Sequence, residues 1–426
     1  MTKPQKTWPM LPIGDLLKQV RRPVNVESDT HYREIGIRSH GKGIFHKPET
    51  TGKQIGEKRV FWVEPDCLVF NIVFAWEQAV AMTSEAEVGM IASHRFPMYS
   101  SRNGKLLPEY VWRYFSTPRG KYDLNIASPG GAGRNKTLGQ AEFKRLKIPV
   151  PPIEYQREVV EVLSTTDRAI SGMEQLIAAK RTLKKGLAQQ LLTGKYRLPG
   201  FGEPAVEGKV GKDSKCGWIP SDWENVQFGT LGSTYTGLAC KTKEDFGDGY
   251  PYIPYLNIFD NTYIDPTRMD RVRIGTDERQ HTVQYGDIFF TTSSETRLEV
   301  GMAAVMLSEV ESTYLNSFCF GFRLNSFDRL WPEFAGHLLR GSETRRAIAR
   351  LSQGATRYNL PQSCIKELYI PLPSLLEQKH IAALLGKADR EIALLEKKLA
   401  ALRELKKGLM QKLLTGPMLA KESARD

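Results

Sequence analysis

The sequence predicts an α+β protein of two tandem domains, each followed by a long helix. The two helices are expected to pair as an antiparallel coiled coil with pseudo-twofold symmetry. Three observations carry this prediction. Leu146–Gly194 and Leu368–Gly416 align without a gap at an offset of 222 residues (146 to 368), and about half of the aligned positions are identical. Within both copies, apolar residues recur at alternating spacings of three and four, as the seam of a coiled coil requires. Ahead of each copy, short apolar runs alternate with turn residues, the pattern of small strands mixed with helices.

The expected order is a first domain over 1–150, a helix over 151–194, a linker over 195–222, a second domain over 223–373, a helix over 374–416 and a tail over 417–426. The first copy opens with Trp8 in WPMLPIGDL and the second with Trp223 in WENVQFGTL. In both, the tryptophan is followed by alternating apolar residues and then a glycine, Gly14 or Gly229, predicting a short strand that runs into a turn. Arg59–Phe74 holds two apolar runs split by Pro65 and Asp66. In the second copy Tyr285–Thr292, Met302–Ser308 and Cys319–Leu324 read as strands, and Pro332–Leu351 as a helix or helix pair.

The long helices are strongly marked. Ser374 and Glu377 have capping-box spacing directly after Pro373, and Gly416 and Pro417 stop the second helix. Its seam is Leu385, Ala388, Ile392, Leu395, Leu399 and Leu402, continuing through Leu409 and Leu413. The first helix matches with Leu163, Thr166, Ile170, Met173, Ile177 and Lys180, then Leu187 and Leu191, so its seam is weaker at the threonine and the lysine. About 40 residues at 1.5 Å each make a rod of about 60 Å. Leu183, Leu192, Leu405 and Leu414 fall off the main stripe, where they suit flank burial or helices of another protein. The linker, rich in Gly, Pro and Lys, is long enough to return the chain to a new start.

Composition excludes several classes. The chain is 41% hydrophobic and 25% charged, as ordinary globular domains are. Five cysteines are scattered without C-x-x-C spacing, which excludes a disulfide framework or zinc ribbon and suits a reducing compartment. No apolar leader or membrane-length run occurs, so a cytoplasmic location is expected. The net charge of +12 suits a polyanionic partner, whose counterions are released on binding.

Catalytic motifs are not found. Gly130–Thr137 glances at a P-loop, but Asn135 stands where a glycine must precede the lysine, and the matching stretch Gly354–Leu360 has neither the lysine nor the glycines. Seven histidines show no paired metal-ligand spacing. No methyltransferase, Gly-x-Ser-x-Gly or nuclease carboxylate motif is present. Instead, both copies carry polar loops suited to phosphates and base edges. These supply Arg134 and Lys136 in the first copy, Arg357, Tyr358 and Asn359 in the second, and Ser293, Glu295, Thr296 and Arg297 on a loop after a strand. Asn71 and Trp76 occupy a comparable place in the first copy. A duplicated, basic chain without catalytic motifs reads as a binder.

The helix signatures IPVPPIEYQREVVEVL and IPLPSLLEQKHIAALL, each leading through Asp-Arg to LKKGL and LLTG, resemble the specificity (S) subunits of type I restriction–modification systems. GDIFFTTSSETRLEVG, GATRYNLPQSCIKELYIPLP and AWEQAVAM resemble that family's target-recognition domains, so the likeness spans residues 8 to 416. The resemblance implies a non-catalytic, DNA-binding phage-defence subunit in which each target-recognition domain reads half of a split double-stranded DNA site and the coiled coil sets the gap. It also implies two methyltransferase (M) subunits docked on the helices, with S-adenosylmethionine and adenine methylation in M. Where restriction (R) subunits join, two of them bring ATP, Mg and cleavage. No cofactor is expected on this chain. Leu183, Leu187, Leu191, Leu405, Leu409 and Leu413 are chosen for the coiled coil and M docking. The rival readings are a scaffold joining two protein-binding domains and a self-contained methyltransferase or nuclease.

Overall fold

The computed structural model describes residues 8–130 and 136–414. The expected stop at Gly416 and Pro417 lies outside the described residues. The chain divides into two compact units. One runs to Gln175 and resumes at Lys397, and the other is Leu176–Glu396. Each unit therefore holds one α+β domain with a part of both long helices.

In the first unit the strands are β1 (Met10–Pro12), β2 (Leu17–Val20), β3 (His31–Ile37), β4 (Ile44–Thr51), β5 (Val60–Trp62), β6 (Leu68–Phe70), β7 (Val80–Met82), β8 (Ile91–Ser93), β9 (Met98–Ser101) and β10 (Lys147–Pro149). The central sheet has the order β2-β9-β6-β7 and is antiparallel throughout. A second sheet has the order β4-β3-β8-β5, and β1 pairs with β10. The two apolar runs expected around Pro65 and Asp66 are β5 and β6, and Asp66 takes a left-handed conformation (φ +54°) that aspartate tolerates in turns. Phe70 packs against Tyr99, Phe115 and Phe143 with rings edge-on. Val159 and Leu163 of the first long helix and Leu414 of the second complete this core.

In the second unit the strands are β11 (Glu224–Gln227), β12 (Gly232–Thr236), β13 (Phe246–Ile253), β14 (Asp270–Val272), β15 (Ile288–Thr291), β16 (Ser293–Ser294), β17 (Ala303–Val305), β18 (Tyr314–Leu315), β19 (Cys319–Leu324), β20 (Tyr358–Asn359) and β21 (Tyr369–Leu372). The central sheet, β12-β19-β15-β17, repeats the strand order of the first unit, and β11 pairs with β21 as β1 does with β10. The additional sheet, β14-β13-β18, differs, as the unequal offsets between the two copies foretell. Pro332–Leu351 is a helix pair, Pro332–Arg340 and Ser342–Leu351, divided at Gly341. Phe228, Phe290, Phe320, Phe322 and Phe334 form the core with Leu191 and Leu192 of the first long helix and Ile381 and Leu385 of the second.

The long helices are Ile153–Leu192 and Leu375–Leu414, 40 residues each. Ion pairs between them show that they run antiparallel. In the first unit Lys406 reaches Asp167 (2.6 Å) and Arg403 reaches Glu174 (2.6 Å). In the second unit Lys184 meets Asp389 and Arg181 meets Glu396 (2.6 Å). These are the same contacts with the helices' roles exchanged, because each residue moves to its counterpart at the offset of 222. Exposed pairs of this kind contribute little energy, so they fix register more than stability. Lys180, the cation expected to weaken the seam, reaches Glu391 at 2.7 Å.

Two expectations change. Ser374 Oγ accepts the Glu377 N–H (3.3 Å), but the Glu377 carboxylate turns away from the cap to accept from Arg197 (2.8 Å) and Trp223 (3.1 Å). Arg197 also grips Asp222 (2.7 and 2.8 Å), so the two ends of the linker are tied to the start of the second helix. Leu187, Leu191, Leu409 and Leu413, chosen for the seam and docking, pack against domain cores, and Leu191 is 0% exposed. Periodicity shows that a helix face is apolar without showing what it meets.

Candidate nucleic-acid interface

In the second unit, two stretches that the sequence offers separately come together. β16 pairs antiparallel with β20, setting Ser293 opposite Asn359 and Ser294 opposite Tyr358. Arg357 Nη2 donates to Ser293 Oγ (3.1 Å), 64 residues away along the chain. Arg357 and Asn359 are exposed and Tyr358 is half-buried. Ser293 itself is buried, with its carbonyl accepting from Tyr255 Oη (3.0 Å), so it positions Arg357 and does not present itself at a surface. Glu295 and Thr296 are exposed at the loop tip, where Thr296 Oγ1 donates to Glu299 (2.5 Å). Arg297 Nε donates to Ala349 O (3.0 Å), which pins the loop to the helix Ser342–Leu351.

The first unit places its candidates in the same way. Asn71 Oδ1 accepts the Val73 N–H (3.2 Å) and shapes the turn that carries Trp76, whose Nε1 donates to Val73 O (3.2 Å). Lys136 Nζ lies 5.6 Å from the Trp76 ring centroid and donates to Asn125 Oδ1 (2.8 Å). Arg134 lies outside the described residues. One backbone bond then shows the equivalence of the two sites. Leu138 N–H donates to Ile72 O, and Leu360 N–H donates to Thr292 O, both at 2.8 Å. In each domain, the end of the cationic stretch, at Leu138 or Leu360, thus lies against the segment leaving the central strand, β6 or β15.

Such an edge offers guanidinium, ammonium, amide and hydroxyl groups. That is the chemistry of phosphate and base-edge contacts. Among the described residues, no group of three His, Cys, Asp or Glu is placed to hold a metal ion. No described helix is long and apolar enough to cross a membrane.

Buried polar residues at the domain–helix junctions were not singled out in the sequence, although their repetition could have found them. Gln156 and Gln378, equivalent at the offset of 222, are both fully buried. Arg113, buried in the helix Pro108–Phe115, meets Asp167, and His337 takes the matching place beside Asp389, at 4.0 Å. Burial lowers His337, Asp389 opposes it and Lys184 adds to it, and the net effect brings the imidazole down to about 4.

Comparison with known proteins agrees with this layout. The profile of the type I restriction modification DNA specificity domain matches residues 71–180 and 220–404, more than half of the chain. The type I restriction enzyme MjaVIII specificity subunit of Methanocaldococcus jannaschii is 25% identical over 283 residues, covering 66% of this chain and 64% of that protein. The chain spans less than two thirds of the length of the first curated relatives it matches. A chain solved in a study of assembly and conformational transition of the type I R-M system superposes with a TM-score of 0.58 at 18% identity, over 97% of this chain and all of that one. The HsdS subunit of Thermoanaerobacter tengcongensis gives 0.51 at 18% identity, over 96% of this chain and 97% of that one. At these identities the structural likeness speaks to fold. With its duplicated domains, antiparallel helices and profile match, the chain belongs to the type I restriction modification DNA specificity domain family.

Proposed function

We propose that each α+β domain reads one half of a bipartite double-stranded DNA site, and that the antiparallel helices set the gap between the halves. The observation that carries this is the recurrence, at the end of the same central strand in both domains, of an edge bearing Lys136 and Trp76 in one and Arg357, Tyr358 and Asn359 in the other. Arg357 and Asn359 suit guanine and adenine edges, and Lys136 suits a phosphate. Glu295 and Thr296 stand beside them at the loop tip. The chain performs no chemistry of its own. Methylation of a flipped adenine belongs to two M subunits that hold S-adenosylmethionine, and cleavage to R subunits that use ATP and Mg.

Leu183 and Leu405 are equivalent in the two helices and are 66% and 54% exposed, which supports them as docking residues for M. Asp substitution at both should strip M from the chain in co-purification while each domain stays folded.

Single-molecule sequencing of modified bases tests the reading, comparing cells that carry this chain and its M subunits with cells lacking the chain. A split motif methylated only with the chain present is expected. Arg357→Ala should abolish recognition of one half-site and leave assembly with M intact. Full site-specific methylation by that variant would sink the assignment of Arg357. A stable complex that creates no motif would favour the scaffold.

A further inference from the structure

We propose that the turns ahead of β9 and β19 each present one base-reading side chain, Arg95 in the first domain and Phe318 in the second. The inference rests on the DNA-reading role above and names residues outside the loops already described. The two turns are one structure made twice. In the first, Arg95 N–H donates to Ser93 Oγ (3.3 Å) and Phe96 N–H to Ser93 O (2.9 Å). In the second, Phe318 N–H donates to Asn316 Oδ1 (2.8 Å) and Cys319 N–H to Asn316 O (3.1 Å).

Each turn is then bonded to the candidate interface. Ile72 N–H donates to Arg95 O, and Thr292 N–H to Phe318 O, both at 3.0 Å. Thr292 Oγ1 adds a second bond to Phe318 O (2.8 Å). Ile72 and Thr292 are the residues whose carbonyls hold Leu138 and Leu360. Three segments therefore lie side by side in each domain: the turn, the exit from the central strand, and the end of the cationic stretch at Leu138 or Leu360. Arg95 and Phe318 occupy the same backbone place at this edge.

Both side chains are exposed, Phe318 by 62%. A lone exposed aromatic is common on protein surfaces and means little by itself. This one differs because its backbone is fixed by three hydrogen bonds and its structural counterpart carries a wholly different group. Two readers of unlike half-sites need a common frame with unlike side chains. An arginine there forks onto guanine O6 and N7 in the major groove. A phenyl ring makes the apolar contact for which the thymine methyl is the available partner.

The test uses the full chain with its M subunits. Once modified-base sequencing has given the wild-type motif, binding of the purified complex is measured on duplexes in which each base pair of both half-sites is changed singly. Arg95→Ala should reduce discrimination by about tenfold at one base pair of one half-site and leave the other half-site as in the wild type. Phe318→Ala should do the same in the opposite half-site, and Phe318→Leu, which keeps an apolar contact, should retain the preference. Unaltered discrimination at every position, or a weakening equal on all sequences, overturns the inference. A wild-type complex without any split motif overturns the underlying DNA-reading role before a variant is compared.

Discussion

The side-chain amide of Gln156 is spent entirely on backbone. Its Oε1 accepts the Leu107 N–H (2.9 Å), and its Nε2 donates to Lys105 O (2.9 Å) and Pro151 O (2.8 Å). Gln378 repeats this with Trp331 N–H (2.9 Å), Arg329 O (2.8 Å) and Pro373 O (3.0 Å). Each glutamine thus clamps the start of a domain helix to the start of a long helix. Truncation leaves three polar groups unmet, so Gln156→Ala or Gln378→Ala should cost about 3 kcal/mol, seen as a fall in urea midpoint. His337 sets a pH dependence. Its imidazole is neutral in the folded chain and titrates near 4, against 6.5 ordinarily. Stability is therefore full above about pH 6.5, falls as pH drops toward 4 and levels below, by at most about 3 kcal/mol. His337→Gln should flatten that interval in urea midpoints measured between pH 4 and 7. At the matching junction, burial pushes Asp167 upward, but hydrogen bonds from Lys406 and Arg113 outweigh it and hold the carboxyl below its usual range. The stability it contributes is lost only in stronger acid.

Glycine shows how differently one residue type serves two elements. A Cβ on Gly14 would lie 2.9 Å from Lys144 Cβ, and one on Gly229 would lie 2.8 Å from Lys366 Cβ. Gly229→Ala should therefore cost about 1–3 kcal/mol through overpacking. Gly186 and Gly408 sit within the long helices with nothing within 4 Å of an added Cβ. Gly186→Ala should stabilise the chain by about 1 kcal/mol, and thermal unfolding of the two variants should shift in opposite directions. Both glycine pairs were visible as repeats, yet only the folded chain separates a steric need from open space. The same holds for the elements around the site. The helices and the strands β15 and β19 were legible because their apolar periods are strong. The pairing of β16 with β20 was not, because two-residue strands leave no period, and the offset between the copies drifts there. Ser293 and Arg357 each looked like an isolated loop residue for that reason.

At the scale of the molecule, each domain is closed by helix ends from distant parts of the sequence. Leu409, Met410, Leu413 and Leu414 seat on the first domain's core, and Leu187, Ala188, Leu191 and Leu192 on the second's. Deleting residues 397–426 should therefore raise amide exchange in Pro108–Phe115 and β6 of the first domain, and leave β15 and β19 protected. The opposite pattern would contradict the assignment of those helix ends. The repeat predicted two helices of one kind; it did not reveal that their last turns belong to the cores, since an apolar stripe is equally suited to a helix or to a domain.

This closure orders events during synthesis. The strands of the first domain are translated before those of the second, yet leucines that seal their core, Leu409, Leu413 and Leu414, are made only after the second domain. Domains ordinarily mature from the N-terminus onward. Here the first domain waits with that core open until the second has been made.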